Sequence, residues 1–227
     1  ATLHTGSPVV SCTRDGTGWK VSTPGGFVSA EWVVVATDAY SKGPWAKVRR
    51  EQVHLPYFNL ATRPLPPDLR SSILPGREGV WDTKEILSSF RMDSAGRLVF
   101  GSVGALRNTG QAVHVGWAKR SLARLFPQLG PVEFEHEWYG KIGMTDNALP
   151  RFHRFERNVI GFSGYNGRGI APGTVFGRTL AGHILGELSE DDLPLPVTDT
   201  EQPSLRSLKE AYYEVGAQIA HFAGERL

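Results

Sequence analysis

The strongest constraint on this chain is a strand that runs into a glycine loop and then a helix over residues 159–188. Residues 158–163 are β-prone and continue directly into Gly164-Tyr165-Asn166-Gly167-Arg168-Gly169-Ile170-Ala171-Pro172-Gly173. A helix is predicted from about Thr174, with Val175, Phe176, Leu180, Ile184, Leu185 and Leu188 on its apolar side. Gly164, Gly167 and Gly169 let the backbone close on a ligand, and the loop delivers that ligand to a helix N-terminus carrying roughly half a positive charge. Such a place favours an electron-rich group. No Lys-Ser/Thr pair follows, so this is not a Walker loop; Tyr165 stands where a nucleophile elbow needs glycine; and the full G-x-G-x-x-G spacing is missing. The plainer alternative is a turn required only for tight strand-to-helix packing.

Other chemistries find little support. Lys+Arg 25 and Asp+Glu 23 are spread along 227 residues for a net charge of +2, so no basic block is available to neutralise a run of phosphates, and nucleic acid is not an expected partner. The single cysteine, Cys12, excludes an internal disulfide and points to a reducing compartment, by default the cytoplasm. The longest purely apolar run, Trp32-Val33-Val34-Val35-Ala36, falls far short of the ~20 residues of a membrane span. No two of the seven histidines are three or four apart, so no metal site is expected. No serine stands on a recognisable elbow, which sets a Ser-His-Asp hydrolase aside.

The remaining sequence reads as mostly β in its first two thirds. Residues 8–14 and the alternating Trp19, Val21 and Thr23 form a hairpin, Phe27 and Val28 are a short return strand, and Trp32 to Ala36, apolar on both faces, reads as a buried parallel strand. Residues 49–62 are extended, and Pro64, Pro66 and Pro67 are expected to stop any regular element. Residues 79–103 suggest an antiparallel sheet, 115–126 a helix across it, and 132–142 a further strand. Leu205, Leu208, Tyr212, Val215, Ile219 and Phe222 recur at steps of three and four, an amphipathic helix expected to cover the chain's own sheet or helices, with dimerisation as the alternative.

These pieces, in this order, resemble the FAD-dependent amine and amino-acid oxidoreductases of the D-amino-acid oxidase-like superfamily, most of all the γ-glutamylputrescine oxidoreductase branch. The likeness is carried by Gly18-Trp19-Lys20-Val21 with residues 23–30 and Val33-Val34-Val35-Ala36-Thr37-Asp38-Ala39-Tyr40; by Arg91 with Arg97-Leu98-Val99-Phe100-Gly101; by residues 138–150; and by 164–170 with Gly177-Arg178 and Leu180-Ala181. The resemblance implies an α+β chain (an α/β remnant): the C-terminal half of an FAD-binding Rossmann-like domain plus an antiparallel-sheet substrate domain. Its divisions would be 1–50 and 151–200 for the cofactor part, 51–150 for the substrate part and 201–227 for a C-terminal helix.

It also implies FAD held non-covalently. Ala36 and Thr37 would lie near its adenosine or pyrophosphate end, and Gly164, Tyr165, Asn166, Gly167, Arg168, Gly169 and Ile170 along the isoalloxazine. Some relatives tether flavin through a cysteine in the strand matching residues 138–142, and this chain has none there. The expected activity is oxidation of the C–N bond of a primary or secondary amine or amino acid to an imine, by hydride transfer to FAD. Tyr57, Trp81, Phe90 and Trp138 are candidate substrate walls, Arg91 or Arg168 the group that orients a carboxyl or amide, and Lys141 a cation that could assist oxygen.

Two departures stand out. The family's opening strand, G-x-G-x-x-G and helix have no counterpart here, so the chain, which begins at Ala1, reads as the C-terminal part of a larger protein that is inactive without its first half. Asp38 stands where the family has glycine or a small amide. The competing readings are a non-catalytic remnant or assembly subunit that keeps the fold without cofactor, and a stand-alone β-rich binding module.

Overall fold

The computed structural model describes residues 1–224. A meander of β1 (Ser11–Asp15), β2 (Gly18–Thr23) and β3 (Gly26–Ala30) opens the chain. Next come β4 (Val33–Val35), α1 (Ala46–Arg50), the long strand β5 (Val53–Pro64) and α2 (Pro67–Ser72). After them, β6 (Val80–Trp81), β7 (Ser88–Met92) and β8 (Arg97–Val103) precede α3 (Thr109–Leu125). Strands β9 (Phe134–Met144), β10 (Arg151–Glu156) and β11 (Val159–Ser163) lead to α4 (Ile170–Ile184), and α5 (Arg206–Ala223) follows. The fold is α+β, with antiparallel sheets and one parallel pairing, and it forms two compact units: Ala1–His54 with Ile142–Arg206, and Leu55–Lys141 with the chain from Ser207 onward. No helix among the described residues is long and apolar enough to cross a membrane.

In the first unit, β10, β11 and β4 form a three-stranded sheet in which β4 runs parallel to β11, pairing Val33 with Val159 and Val35 with Gly161. All five residues of β11 are buried, as a central strand requires. Phe152, Ile160, Phe162, Phe176 and Leu180 make the core between this sheet and α4. Trp19 closes a smaller cluster with Val35 and Val159, its indole N–H donating to the Arg157 carbonyl at 3.0 Å. The parallel strand is therefore present, but its expected burial on both faces is not: β4 is outermost, and Val34 is 44% exposed.

In the second unit the sheet order is β6-β7-β8-β5-β9, and strand alternation separates its faces cleanly. Phe58, Leu60, Leu98 and Phe100 are fully buried on one face, packed with Trp117, Ala118 and Leu122 of α3; each contributes about 1.5–3 kcal/mol by leaving water. The register that pairs Phe90 with Phe100 puts Ser89, Gly101 and Asn59 on the opposite face.

Proline accounts for three boundaries that differ from expectation. Pro67 does not stop regular structure but opens α2 at its first position, where a missing N–H costs nothing. Likewise Pro172 lies in the first turn of α4, so that helix begins at Ile170 rather than near Thr174. Strand β5 keeps Pro64 at its end, and the turn before it, expected as extended from residue 49, is the short helix α1. Helix α3 begins at Thr109, six residues before the expected start, its first turn including Gly110, a weak helix former.

Candidate functional site

The parallel strands β4 and β11 point their carboxyl ends the same way, and the chain after each turns into the loop region where ligands of α/β sheets gather. After β11, Gly164, Asn166 and Gly167 all take positive φ, at 75°, 53° and 78°. At Gly164 a side chain would be strained by φ and would also strike the Thr145 methyl. After β4, Asp38 also has positive φ, 42°, and its Oδ1 accepts the Gly164 N–H at 2.7 Å. Asn166 fixes the other side of the loop. Its Nδ2 donates to the Gly164 carbonyl at 2.5 Å and to Thr145 Oγ1 at 3.0 Å, and its Oδ1 accepts the Thr145 N–H at 2.9 Å. Tyr165 packs against Phe162 and Phe176; burial first, then the Asp38 charge, pushes its phenol up to about 12.

The loop ends at the N-terminus of α4, where Gly169 is the cap residue and no side chain caps the helix. Pro172 has no N–H and Gly173 donates to the Gly169 carbonyl at 2.9 Å, so the amides of the first turn left for water or a ligand are those of Ile170 and Ala171. Ile170, the first helical residue, is 93% exposed.

Beneath the loop lies a buried polar cluster with no local signal in the sequence. Glu51 Oε1 accepts Ser163 Oγ–H at 2.5 Å and lies 2.8 Å from His153 Nε2, while His153 Nδ1 donates to the Thr198 carbonyl at 2.9 Å. All three side chains are buried. Although a serine, a histidine and a carboxylate meet here, the serine gives its proton to the carboxylate rather than to the histidine, and nothing reaches it from solvent. The cluster braces the end of β11 and is not a nucleophile site. Residues 51, 153 and 163 come together only through the pairing of β10 with β11 and the fold of α1, which is why spacing along the chain does not reveal them.

The candidate substrate residues belong to the second unit. Tyr57 on β5 hydrogen-bonds Ser89 at 2.7 Å, and burial raises its phenol above the ordinary value. The register puts Tyr57, Ser89, Arg91 and Trp81 on one face, the one opposite α3. Trp138 joins them by alternation, because its neighbour Glu137 accepts a hydrogen bond from Gln111 on α3. Phe90 does not: it stacks on Phe100 and meets Phe126 edge-on in the core. Lys141, three residues beyond Trp138, alternates to the other face from it and is exposed. Ala36, Thr37 and Arg168 are exposed in the first unit, with Thr37 Oγ1 2.6 Å from Ser41 Oγ. Among the described residues no group of three His, Cys, Asp or Glu is placed to hold a metal ion.

Comparison with known proteins speaks to the family and the fold. Residues 1–182 match the family described as DAO, FAD dependent oxidoreductase. A probable oxidoreductase OrdL of Haemophilus influenzae is 29% identical over 224 residues, covering 95% of this chain and 50% of the relative. Gamma-glutamylputrescine oxidoreductase of Escherichia coli is 27% identical over 201 residues, 87% of this chain and 46% of its own length. Among solved structures, glycine oxidase from Geobacillus kaustophilus superposes with a TM-score of 0.58 at 20% identity, over 81% of this chain and 49% of that one. L-Proline dehydrogenase from P. horikoshii gives 0.61 at 16% identity, over 97% and 54%. At such identities the structures speak for the fold alone. The chain spans about half the length of the curated relatives it matches. It belongs to the DAO family of FAD dependent oxidoreductases.

Proposed function

We propose that this chain is the flavin-facing part of a cytoplasmic oxidoreductase that removes a hydride from the carbon beside the nitrogen of a small amine or amino acid. The observation that carries this reading is the uncapped N-terminus of α4 behind a loop whose left-handed residues are locked by Asn166 and Asp38. Its free amides and positive dipole end suit the electron-rich edge of a flavin, so the residues present fit FAD. When bound, FAD supplies the redox chemistry, accepting the hydride, and the protein needs no nucleophile of its own. Residues 164–170 would lie along the ring system and Ala36 and Thr37 toward the adenosine end. Cys12 pairs across β1 with Val21 of β2, packs partly buried beside the Trp19 cluster with its thiol pKa raised by burial, and supports a cofactor held without a cysteine tether.

For the substrate, Arg91 would hold a carboxyl or amide by paired hydrogen bonds, and Tyr57, Trp81 and Trp138 would form apolar walls that exclude water. Phe90 drops out of that set because it is core. Arg168 and Lys141 stay as candidates to orient substrate and to assist an oxygen acceptor. A further partner, a first half completing the cofactor domain, belongs to the same proposal. One observation favours the cofactor-free alternative: the Asp38 carboxylate occupies the amide of Gly164 and sets negative charge beside the loop.

The test is flavin loading of the chain joined to the first half that completes its cofactor domain, followed by anaerobic substrate addition. Flavin fluorescence should be quenched on titration with the protein, at least 10-fold more weakly for Asn166→Ala, as loss of a loop-closing hydrogen-bond network implies. Acid precipitation should release the chromophore, and amines should bleach the bound flavin, more slowly when deuterated beside nitrogen. Failure to take up flavin supports the cofactor-free reading; bleaching by hydroxy acids or alcohols but not amines removes the amine assignment.

A further inference from the structure

Helix α5 is held to its own unit by its polar side. Arg107 pairs with Glu214 through two hydrogen bonds, Nε to Oε1 at 3.0 Å and Nη2 to Oε2 at 2.5 Å. His221 stacks on Trp117 at 3.7 Å, Arg120 donates to the His221 and Gly224 carbonyls, and Ala217 is buried. The apolar stripe is on the other side. Leu208, Tyr212, Val215, Ile219 and Phe222 are each more than half exposed, from 55% at Val215 to 71% at Tyr212. The expectation that this stripe covers the chain's own sheet or helices is thus overturned: the polar face has the better-fitting partners, and it faces in.

Steps of four, three, four and three along the stripe are those of a coiled-coil seam, the pattern that another helix with the same repeat fits. A contiguous exposed apolar stripe on a fixed helix marks an interaction surface. We propose that its occupant is a second copy of this chain, the two α5 helices packing stripe to stripe about a two-fold axis. Size and charge both support self-pairing. At ~170 Å² for a large apolar side chain the exposed parts come to roughly 500 Å² per copy, hence about 1,000 Å² for the pair, the size at which a contact becomes a specific interface. In a two-fold contact both flanks are drawn from the same few residues, so a flank of like charges would repel; the positions beside the seam are Lys209, Ala211, Gly216, Gln218 and Ala223, with a single charge among them and small residues that let the helices approach.

Sedimentation velocity of the chain across the micromolar range tests this and needs no cofactor, so its result is independent of the flavin proposal. A dimer is expected, and Leu208→Asp with Val215→Asp should weaken it roughly 100-fold or more, as loss of central anchors does. Because both positions are exposed, the far-UV circular dichroism should not change. If that double variant fails to fold, Val215→Cys in a Cys12→Ser background gives the second reading: mild oxidation should yield a disulfide-linked dimer. A wild-type chain that stays monomeric, a dimer indifferent to the aspartates, or no cross-link at position 215 overturns the proposal; a monomer leaves the stripe to a different polypeptide segment.

Discussion

His153 in the first unit has an acceptor at each ring nitrogen, whereas His114 and His221 in the second have chiefly each other. The Thr198 carbonyl and Glu51 Oε1 lie 2.9 and 2.8 Å from the two ring nitrogens of His153, so both are hydrogen-bonded. In the second unit the two Nδ1 atoms lie 2.8 Å apart, which leaves room for one proton between them. Phe58 stacks on His114 and Trp117 on His221, Ser102 Oγ lies 3.3 Å from His221 Nε2, and His114 Nε2 is buried without a hydrogen-bond partner. One cluster gives each ring nitrogen of its histidine a hydrogen-bond partner, and the other is built to stay neutral. Burial therefore has opposite weaknesses in the two units: the first depends on keeping its carboxylate, the second on excluding a proton.

Glu51→Ala should show the larger effect. It strips His153 and Ser163 of their common acceptor, and each buried polar group left unsatisfied costs about 1–3 kcal/mol. Urea unfolding would measure it, with Glu51→Gln, which keeps an acceptor oxygen, falling in between. A loss below about 1 kcal/mol would mean the cluster does not brace β11.

Acid should act on the second unit instead. Burial, first among the causes, lowers the His114 pKa to about 4, with the Glu214 carboxylate opposing; burial, then His114, Arg120 and Lys84, lowers that of His221 to about 3. Both folded values lie below the unfolded value of about 6.5, so the unfolded chain binds more protons as pH falls through that range. Stability is full above about pH 6.5 and declines steadily toward pH 4. The urea midpoint followed against pH should fall in this window, and less so for His221→Asn, which cannot take up a proton. A midpoint flat from pH 7 to 4.5 would sink the idea that the pair is held neutral.

What the sequence made legible follows from range. The hairpin at Trp19 and Val21, the strand–glycine loop–helix and the period of α5 are all local patterns, and all three are present. Direction was not legible. A period identifies a stripe but not whether it faces in or out, and for α5 the deciding groups, Arg107, His114 and Arg120, are about 100 residues away in sequence. Alternation could have said more than was taken from it: Phe90 and Arg91 are neighbours on one strand and cannot line the same pocket, and the structure sends Phe90 to the core. The Glu51 cluster was out of reach, since its members are joined by strand pairing and not by spacing.

The smallest effect on stability, and the most informative about the loop, is expected at Asp38. Its φ of 42° explains why glycine suits this position, because the left-handed region strains most side chains while aspartate tolerates it. Asp38→Gly would relieve that strain and lose the 2.7 Å bond to the Gly164 N–H, two changes of opposite sign that should leave stability within about 1 kcal/mol. Flavin affinity should respond more, because the substitution frees an amide and removes a negative charge beside the loop. Asp38→Asn separates these contributions, keeping an acceptor and tolerance of positive φ while dropping the charge. Tyr165 gives a readout apart from cofactor: Asp38 is the second cause of its raised pKa, so an ultraviolet titration should show the phenol falling in both variants yet staying above its ordinary value, since burial persists. If both variants bind flavin several-fold more tightly, charge governs the site; if only glycine does, the freed amide governs it. If neither gains affinity while Tyr165 still shifts, Asp38 lies beside the loop but away from the cofactor, and the flavin belongs farther along α4.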